Sequence, residues 1–366
     1  MTRQRYSSKE SVNRILRSLF GGNITSDAPE TLSGEVLSFD EALSDLAELL
    51  YDSLPNQTLT LPESVRNAMG NAGFYRGWGG GNNFFVDPNS AAASDANSGK
   101  SADKPLATIQ QAITNAEDMN GDNIWVIQND GWQYARQTGN SIIEAVTVPS
   151  DKSGLHIMGA GYGSMGVNWT TGVTGTFCLT INAVDTVVDG FNFWGDPVDC
   201  HGIFCDWEAP TEYGENEVIR NCTFVDTINI AIQMEYSWYN RVYNCHFQEC
   251  GAYGIFVDPA GSGISYVQIH DNYFDNCAFA MALDDADNCS IYNNRIYNAE
   301  AQVTGSATNM GLNTAAGSSN IVSNNWFSCI LPAGVGGDWD DFNSASATDA
   351  WIGNHCMNGL ATSNPT

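Results

Sequence analysis

Residues 187–193 read VVDGFNF, and six later segments of the chain repeat the same pattern. Each segment has Val or Ile at its second position, a turn rich in asparagine and a large apolar residue at its end. The later segments are VIRNCTF (218–224), RVYNCHF (241–247), QIHDNYF (268–274), SIYNNRI (290–296), IVSNNWF (321–327) and WIGNHCM (351–357). Their last residues are 22 to 31 residues apart. A period of this size indicates stacked units, each of which needs its neighbours to bury its apolar face.

The residue types at the repeated positions predict how each unit folds. β-Branched residues favour strands, and asparagine tolerates the left-handed conformation of tight turns. We therefore predict an all-β parallel β-helix solenoid, in which coils stack about 4.8 Å apart and apolar columns fill the interior. An ordinary β-sandwich is the alternative, which seven segments in phase disfavour.

A third strand follows the repeated segment in several coils. The candidate strands are HGIFC (201–205), IAIQM (230–234), YGIFV (253–257), FAMAL (279–283) and NMGLN (309–313). The stretches between these strands and the next repeated segment differ in length, which explains the uneven spacing of the repeats.

The segment FFVDPNSAAASDANSGKSADKPLATIQQAITNA (84–116) resembles the first strand and capping helix of the right-handed, pectate-lyase-like β-helix proteins. The resemblance covers roughly residues 84–357. It implies a β-helix over 84–366, with a capping helix at about 105–116 and coils over about 124–357. The family includes pectin-cleaving enzymes, other polysaccharide lyases and hydrolases, and the spikes, fibres and decoration proteins of bacteriophages. For a phage protein, the resemblance implies a homotrimer.

Residues 1–83 differ from the rest of the chain. SFDEALSDLAELLYDSLP (38–55) and LPESVRNAMG (61–70) predict short amphipathic helices, and GFYRGWGGGNN (73–83) predicts a glycine-rich linker. Because helices this short need a partner to cover their apolar side, we predict an attachment region here.

Charge supports this division of the chain. The net charge is −28, which argues against nucleic acid and anionic membranes as partners, whereas residues 1–17 contain five basic residues and one acid. The predicted particle-docking residues are Arg3, Arg5, Arg14, Ile15, Arg17, Leu19 and Phe20. A frayed, solvated terminus is the alternative. The sequence has no signal-peptide pattern and no apolar run of 18 residues, so we expect no membrane insertion. A protein without a signal stays in the cytoplasm, leaves by another route or is assembled there into a particle. With the resemblance to phage proteins, we expect the last, a virion protein assembled in the host cytoplasm.

Acidic residues directly follow the predicted third strands. Asp206, Glu235, Asp258 and Asp284, with Asp285 behind the last, would lie on one face about one strand spacing apart. Such a column suits a glycosidase, which needs two carboxyl groups, and equally suits Ca²⁺. Four nearby aromatic residues are candidates for stacking on sugars: Trp207, Tyr236, Trp238 and Tyr239. The alternative is a solvated acidic surface.

Several enzyme patterns are incomplete. The pectin hydrolases that the chain resembles carry Gly-His-Gly and Arg-x-Lys near their acids, whereas His201 here follows Cys200 and no Arg-x-Lys occurs. Lyases need a basic proton acceptor, but no Lys follows Lys152, and Arg220, Arg241 and Arg295 are expected to pair with surface acids. Asp338, Asp340 and Asp341 are predicted to lie in a loop and are weak candidates for Ca²⁺. No other cofactor is expected.

The ten cysteines show no zinc spacing. Because Cys222 and Cys245 occupy the same repeat position, we expect reduced cysteines packed as small apolar residues, although occasional disulfides remain an alternative.

Two functional classes follow from the sequence. The first is a virion structural appendage, a tail spike, fibre or capsid decoration protein that can bind host surface polysaccharide. The second is a polysaccharide lyase or glycoside hydrolase.

Overall fold

The structure is a computed structural model. It describes residues 81–127, 142–160, 167–195, 200–206, 214–225, 229–257, 263–283, 285–298, 308–314, 317–329, 338–343 and 348–356. The chain divides into two units between Gly80 and Gly81. The predicted helices and docking residues of the attachment region lie outside the described residues and stay predictions.

The strands of the described residues form four parallel sheets. The sheets are numbered in the order in which the chain passes through them in one coil. Sheet 1 contains Asn83–Val86, Asn123–Ile127, His156–Ala160, Val187–Asp189, Val218–Arg220, Arg241–Tyr243, Gln268–His270, Ser290–Tyr292, Ile321–Ser323 and Ala350–Ile352. Sheet 2 contains Ile142–Ile143, Val167–Thr170, Phe191–Trp194, Thr223–Val225, His246–Gln248, Tyr273–Asp275, Arg295–Asn298, Trp326–Cys329 and His355–Cys356. Sheet 3 contains Val146–Val148, Phe177–Ile181, His201–Cys205, Ile230–Met234, Tyr253–Val257, Phe279–Leu283, Thr308–Asn313 and Asp338–Asn343. Sheet 4 contains Gly214–Glu215, Ser237–Trp238, Ile264–Ser265 and Ala286–Asp287.

The predicted parallel solenoid is therefore confirmed, and the repeated segments form sheets 1 and 2. Phenylalanines of successive coils stack in the interior, with ring centroids 4.9 Å apart for Phe193 and Phe224, 5.0 Å for Phe224 and Phe247 and 4.5 Å for Phe247 and Phe274. All four side chains are fully buried. Burial of apolar surface and stacking of the rings thus both favour the in-register column.

The turn between sheets 1 and 2, which we call the first corner, uses the two positions of the predicted asparagine pair differently. The first position is left-handed in every described coil from Gly190 to Gly353, as in Asn293 with φ 57°. The second position points inward, where Asn272, Asn294, Asn325 and Asn354 form a ladder. Asn294, for example, accepts from Asn272 through Oδ1 and donates through Nδ2 to the Ile269 carbonyl. The ladder satisfies polar groups that the core would otherwise leave without partners.

The turn from sheet 4 into sheet 1, which we call the second corner, has the same backbone conformation but different inward side chains. Its left-handed residues include Asn216, Tyr239 and Tyr266, and the residue after Asn216 is Glu217, which is 1% exposed. Burial raises the pKa of Glu217 to about 8, and the neighbouring charges of Asp185 and Glu215 add to this. The side chain of Asn240 lies beside this carboxyl group and lowers its pKa, but by less than burial raises it.

One helix, Ile109–Asn115, is present in the described residues and lies within the predicted capping segment. It contacts the first strands of sheets 1 and 3, and its Ile109 and Ile113 are buried. The carboxylate of Glu144 accepts hydrogen bonds from the backbone N–H of Ile109 and of Gln110, and Lys152 donates to the Ala116 carbonyl at the other end. These contacts match the helix dipole at both ends and fasten the helix to the neighbouring coils.

The structure corrects and extends the predicted elements. Residues 338–343 form a strand that pairs with Thr308–Asn313, so the predicted loop around Asp338, Asp340 and Asp341 was wrong. Sheet 4 was not predicted, because its two-residue strands are too short to show a pattern. The eight cysteines from Cys178 to Cys289 are free and buried, as expected. No helix in the described part of the chain is long and apolar enough to cross a bilayer.

Candidate functional site

The outer surface of sheet 3 carries a group of aromatic side chains. In the strand His201–Cys205 the second, third and fifth residues are buried, whereas His201 and Phe204 are half-buried and face outward. The strands Ile230–Met234 and Tyr253–Val257 have the same pattern. Each of these strands therefore contributes its first and fourth residues to the outer face.

Strand register stacks these outward residues into two columns. The first column is Phe177, His201, Ile230, Tyr253 and Phe279, and the second is Thr180, Phe204, Gln233, Phe256 and Ala282. Ring centroids are 5.0 Å apart for Phe177 and Phe204 and 4.4 Å apart for Tyr253 and Phe256. We call these two columns the aromatic face. Its rings are half-buried, so each presents part of its surface to solvent.

Two of the predicted acids lie along one edge of the aromatic face. The backbone N–H of Asp206 donates to the Ile181 carbonyl and that of Glu235 to the Cys205 carbonyl, both at 3.0 Å. The hydrogen bonding between coils thus continues one residue beyond the strands. The two acids lie on neighbouring coils, and their backbones are about 4.8 Å apart. Gln233 Nε2 donates to Glu235 Oε1 at 2.7 Å, which shows that the Glu235 carboxylate reaches the outer face.

The remaining predicted site residues have other positions. Asp258, Asp284 and Trp207 lie outside the described residues, although the residues before the two acids, Val257 and Leu283, pair in register. Asp285, with φ 62°, belongs to the turn that leads into sheet 4 rather than to the column of Asp206 and Glu235.

The three described aromatic candidates lie towards sheet 4. Tyr236 is the left-handed residue after Glu235, Trp238 is in the sheet 4 strand Ser237–Trp238, and Tyr239 is in the second corner. The rings of Tyr239 and Tyr266 stack 5.2 Å apart and are 45% and 49% exposed. The rings of the aromatic face were not recognised in the sequence. The signal for them is an aromatic residue at the first or fourth position of the third strand.

The described charges near the aromatic face are negative. His201 accepts a hydrogen bond from the Ile230 backbone N–H through Nδ1, and burial lowers its pKa, which favours the neutral ring. Arg220, as expected, pairs with a surface acid of sheet 1, with Nε 2.8 Å from Asp189 Oδ2. Among the described residues, no three His, Cys, Asp or Glu side chains are grouped as metal ligands would be, and the Ca²⁺ site stays a prediction.

Comparison with solved structures gives low identities. The chain is 14% identical to an alginate lyase from Paenibacillus sp. strain FPU-7, with a TM-score of 0.35, covering 68% of this chain and 95% of that one. It is 10% identical to a full-length tailspike protein from the Escherichia coli O157:H7 bacteriophage CAB120, with a TM-score of 0.42, covering 75% of this chain and only 38% of the tailspike. It is 10% identical to the surface protein and adhesin PfbA of Streptococcus pneumoniae, with a TM-score of 0.31, covering 81% and 93%.

Sequence comparison is more specific about the fold. No curated protein matches the chain. A family model described as the right-handed beta helix region matches residues 213–364, which contain most of the repeated segments. Over residues 213–364 the sequence is therefore similar to the right-handed beta helix region, in agreement with the parallel solenoid of the described residues.

Proposed function

We propose that the chain is a glycan-binding appendage of a virion, a tail spike, fibre or decoration protein whose aromatic face contacts host surface polysaccharide. The observation that carries this proposal is the aromatic face, which contains Gln233 and has Glu235 at its edge. Ligand sites typically combine apolar and aromatic walls with a few convergent polar groups.

The arrangement suits a sugar chain for a physical reason. The C–H faces of a sugar ring pack on rings such as Tyr253 and Phe256, while its hydroxyl groups need hydrogen-bond partners once they leave water. Gln233 supplies a donor and the Glu235 carboxylate supplies acceptors beside these rings. Because the two columns run across successive coils, an extended polymer could contact several of these residues at once.

Attachment to a particle is the second half of the proposal. Five of the 14 basic residues lie in residues 1–17, before a strongly acidic body. This charge separation favours docking of the N-terminal region onto an acidic surface of other virion proteins. A homotrimer would place three aromatic faces on one appendage and raise the avidity for a polymer.

The binding test compares two aromatic substitutions on different sheets. Phe256→Ala removes a ring from the aromatic face, and Tyr292→Ala removes a ring that stacks on His270 on sheet 1. We expect Phe256→Ala to weaken binding to host surface polysaccharide about tenfold and Tyr292→Ala to leave it unchanged. Equal effects of both substitutions, or no binding by the unchanged protein, would contradict the proposal.

The docking test uses full-length protein with Arg3, Arg5, Arg14 and Arg17 replaced by Glu. We expect this variant to remain folded and to lose co-sedimentation with particles that lack the protein. Co-sedimentation equal to that of the unchanged chain would exclude docking through these residues.

Hydrolysis is the second candidate function, and it is favoured by the neighbouring rungs of Asp206 and Glu235. A spacing of one coil, about 4.8 Å, is close to the roughly 5–5.5 Å between the carboxyl groups of retaining glycosidases. If the chain shortens polysaccharides, Asp206→Asn and Glu235→Gln should each stop the shortening and keep the polymer bound. If the unchanged protein leaves polymer lengths unaltered, this candidate is discarded.

A further inference from the structure

We infer that the glycan recognised by the aromatic face is uncharged and that polymers of uronic acids are excluded. The inference rests on the proposed glycan-binding function and specifies its substrate class. Its basis is the placement of the charged residues of the described chain around sheet 3.

No described Lys or Arg belongs to a strand of sheet 3. Lys100 and Lys104 precede the capping helix, and Lys152 donates to carbonyls at its C-terminal end. Arg220 and Arg241 belong to sheet 1, and Arg295 belongs to sheet 2. Proteins usually recognise a carboxylate through Arg or Lys, most strongly through the paired N–H groups of Arg. The described part of the aromatic face has no such group.

The one basic side chain on the aromatic face is unsuited to binding a carboxylate as a cation. His201 uses Nδ1 to accept from the Ile230 N–H, and its ring lies 4.6 Å from the ring of Phe177. The apolar surroundings disfavour a charged imidazole. The remaining Nε2–H suits a neutral acceptor such as a sugar hydroxyl.

The charges that are present would repel an anionic polymer. Asp206 and Glu235 follow successive strands at the edge of the face, in a chain whose net charge is −28. A uronate bound on the neighbouring rings would bring its carboxylate close to these two acidic residues, and it would lose water without gaining a cationic partner among the described residues of sheet 3. A sugar bearing a hydroxymethyl group at the same carbon can instead donate to Glu235. This charge arrangement also favours hydrolysis over β-elimination, since elimination acts on uronates.

The test uses matched polymers that differ in charge alone. Polygalacturonate and alginate are each compared with their carboxyl-reduced forms, which keep the linkages and chain length. Binding to the full-length protein is measured at low and at physiological ionic strength, with Ca²⁺ and with a chelator. We expect at least one reduced polymer to bind about tenfold more tightly than its parent. A parent polyuronate that binds as tightly as its reduced form under any of these conditions overturns the inference and leaves glycan binding intact. Absence of binding by all the polymers overturns both.

A pair of substitutions tests whether the location of the charge matters. Gln233→Arg places a cation on the aromatic face, and Gln268→Arg places one on the exposed surface of sheet 1. We expect Gln233→Arg to reduce the preference for the reduced polymer at least about threefold, and Gln268→Arg to leave it unchanged. Equal changes in both variants would show that overall charge, rather than the aromatic face, sets the preference, and would overturn the inference.

Discussion

The first and second corners solve the same backbone problem with different interiors. In both, a left-handed residue turns the chain and the next side chain points into the core, as in Asn293–Asn294 and Asn216–Glu217. In the first corner, the inward asparagines satisfy one another across the coils. In the second, Thr186 Oγ1 has no hydrogen-bond partner among the described residues, and the side chain of Asn240 only partly offsets the burial of the Glu217 carboxyl group.

The difference follows from the chemistry of the side chains. An asparagine amide accepts and donates at once, so each one can satisfy the coil above and the coil below. A carboxylate only accepts, and it is costly to bury without a donor or a positive charge. A ladder of identical amides can therefore extend along the solenoid, whereas Glu217 interrupts the second corner.

The largest expected effect is at the centre of the asparagine ladder. Asn294→Ala removes the donor to the Ile269 carbonyl and the acceptor for the backbone N–H of Asn272. Leaving these buried groups without partners, together with the small cavity, should lower the free energy of unfolding by about 4 kcal/mol. Urea denaturation of the variant and of the unchanged protein would measure this loss of stability. A loss below that of an exposed turn substitution would show that the ladder contributes little.

Glu217→Gln is expected to have the next largest effect, and its sign depends on pH. Burial raises the pKa of Glu217 from its ordinary value of 4.5 to about 8. The unfolded chain therefore releases this proton at a lower pH than the folded protein, and the stability decreases as the pH rises from about 4.5 to about 8. Glutamine cannot ionise, so the variant should be more stable by about 3 kcal/mol at pH 7 and similar to the unchanged protein at pH 4.5.

Denaturation of both proteins across this pH range would test the prediction. A difference in stability that does not change between pH 4.5 and pH 8 would mean that Glu217 is already ionised in the folded protein. The second corner would then have to satisfy a buried charge.

A smaller effect is expected at the left-handed position of the first corner. Asn293 is exposed and has φ 57°, a conformation that glycine adopts freely and alanine disfavours by about 1 kcal/mol. Asn293→Ala should therefore destabilise the protein by about that amount, and Asn293→Gly should be nearly neutral. Equal losses from both would indicate that the side chain, rather than the backbone conformation, matters here.

The smallest effect concerns the same position of the second corner. Tyr266, with φ 59°, stacks on Tyr239. Tyr266→Gly removes the backbone strain and also the ring contact, which is worth about 0.5–1.5 kcal/mol, so the net change should be close to zero. A double-mutant cycle with Tyr239→Gly would isolate the stacking energy. No coupling between the two residues would mean that the rings merely lie side by side.

Sequence reasoning predicted the coils well because the interior of a solenoid repeats. A residue such as Phe224 meets the same residue type above and below, so its column is visible as a period in the sequence. The asparagine turns were predicted for the same reason. Their separation into an outward left-handed position and an inward ladder was not, since both positions carry the same residue type in Asn293–Asn294.

The candidate site was predicted only in part. Asp206 and Glu235 were expected on one face because they follow equivalent strands, and the described ladder places them on neighbouring rungs. The aromatic candidates were chosen for being close to the acids in sequence, but Trp238 lies in sheet 4. The rings beside the acids come from within the sheet 3 strands, such as Phe204 and Phe256.

The sequence by itself determined the architecture of this protein, because a repeated strand–turn–strand pattern buries its apolar residues only by stacking on itself. Only the tertiary structure decided which surface residues meet. A short apolar strand does not reveal which of its residues face outward, and unequal connections between strands separate residues that are adjacent in space. The pairing of Glu235 with Gln233 at the aromatic face and the burial of Glu217 depend on strand register and on how the coils stack. Neither feature can be predicted from the composition or the periodicity of the sequence.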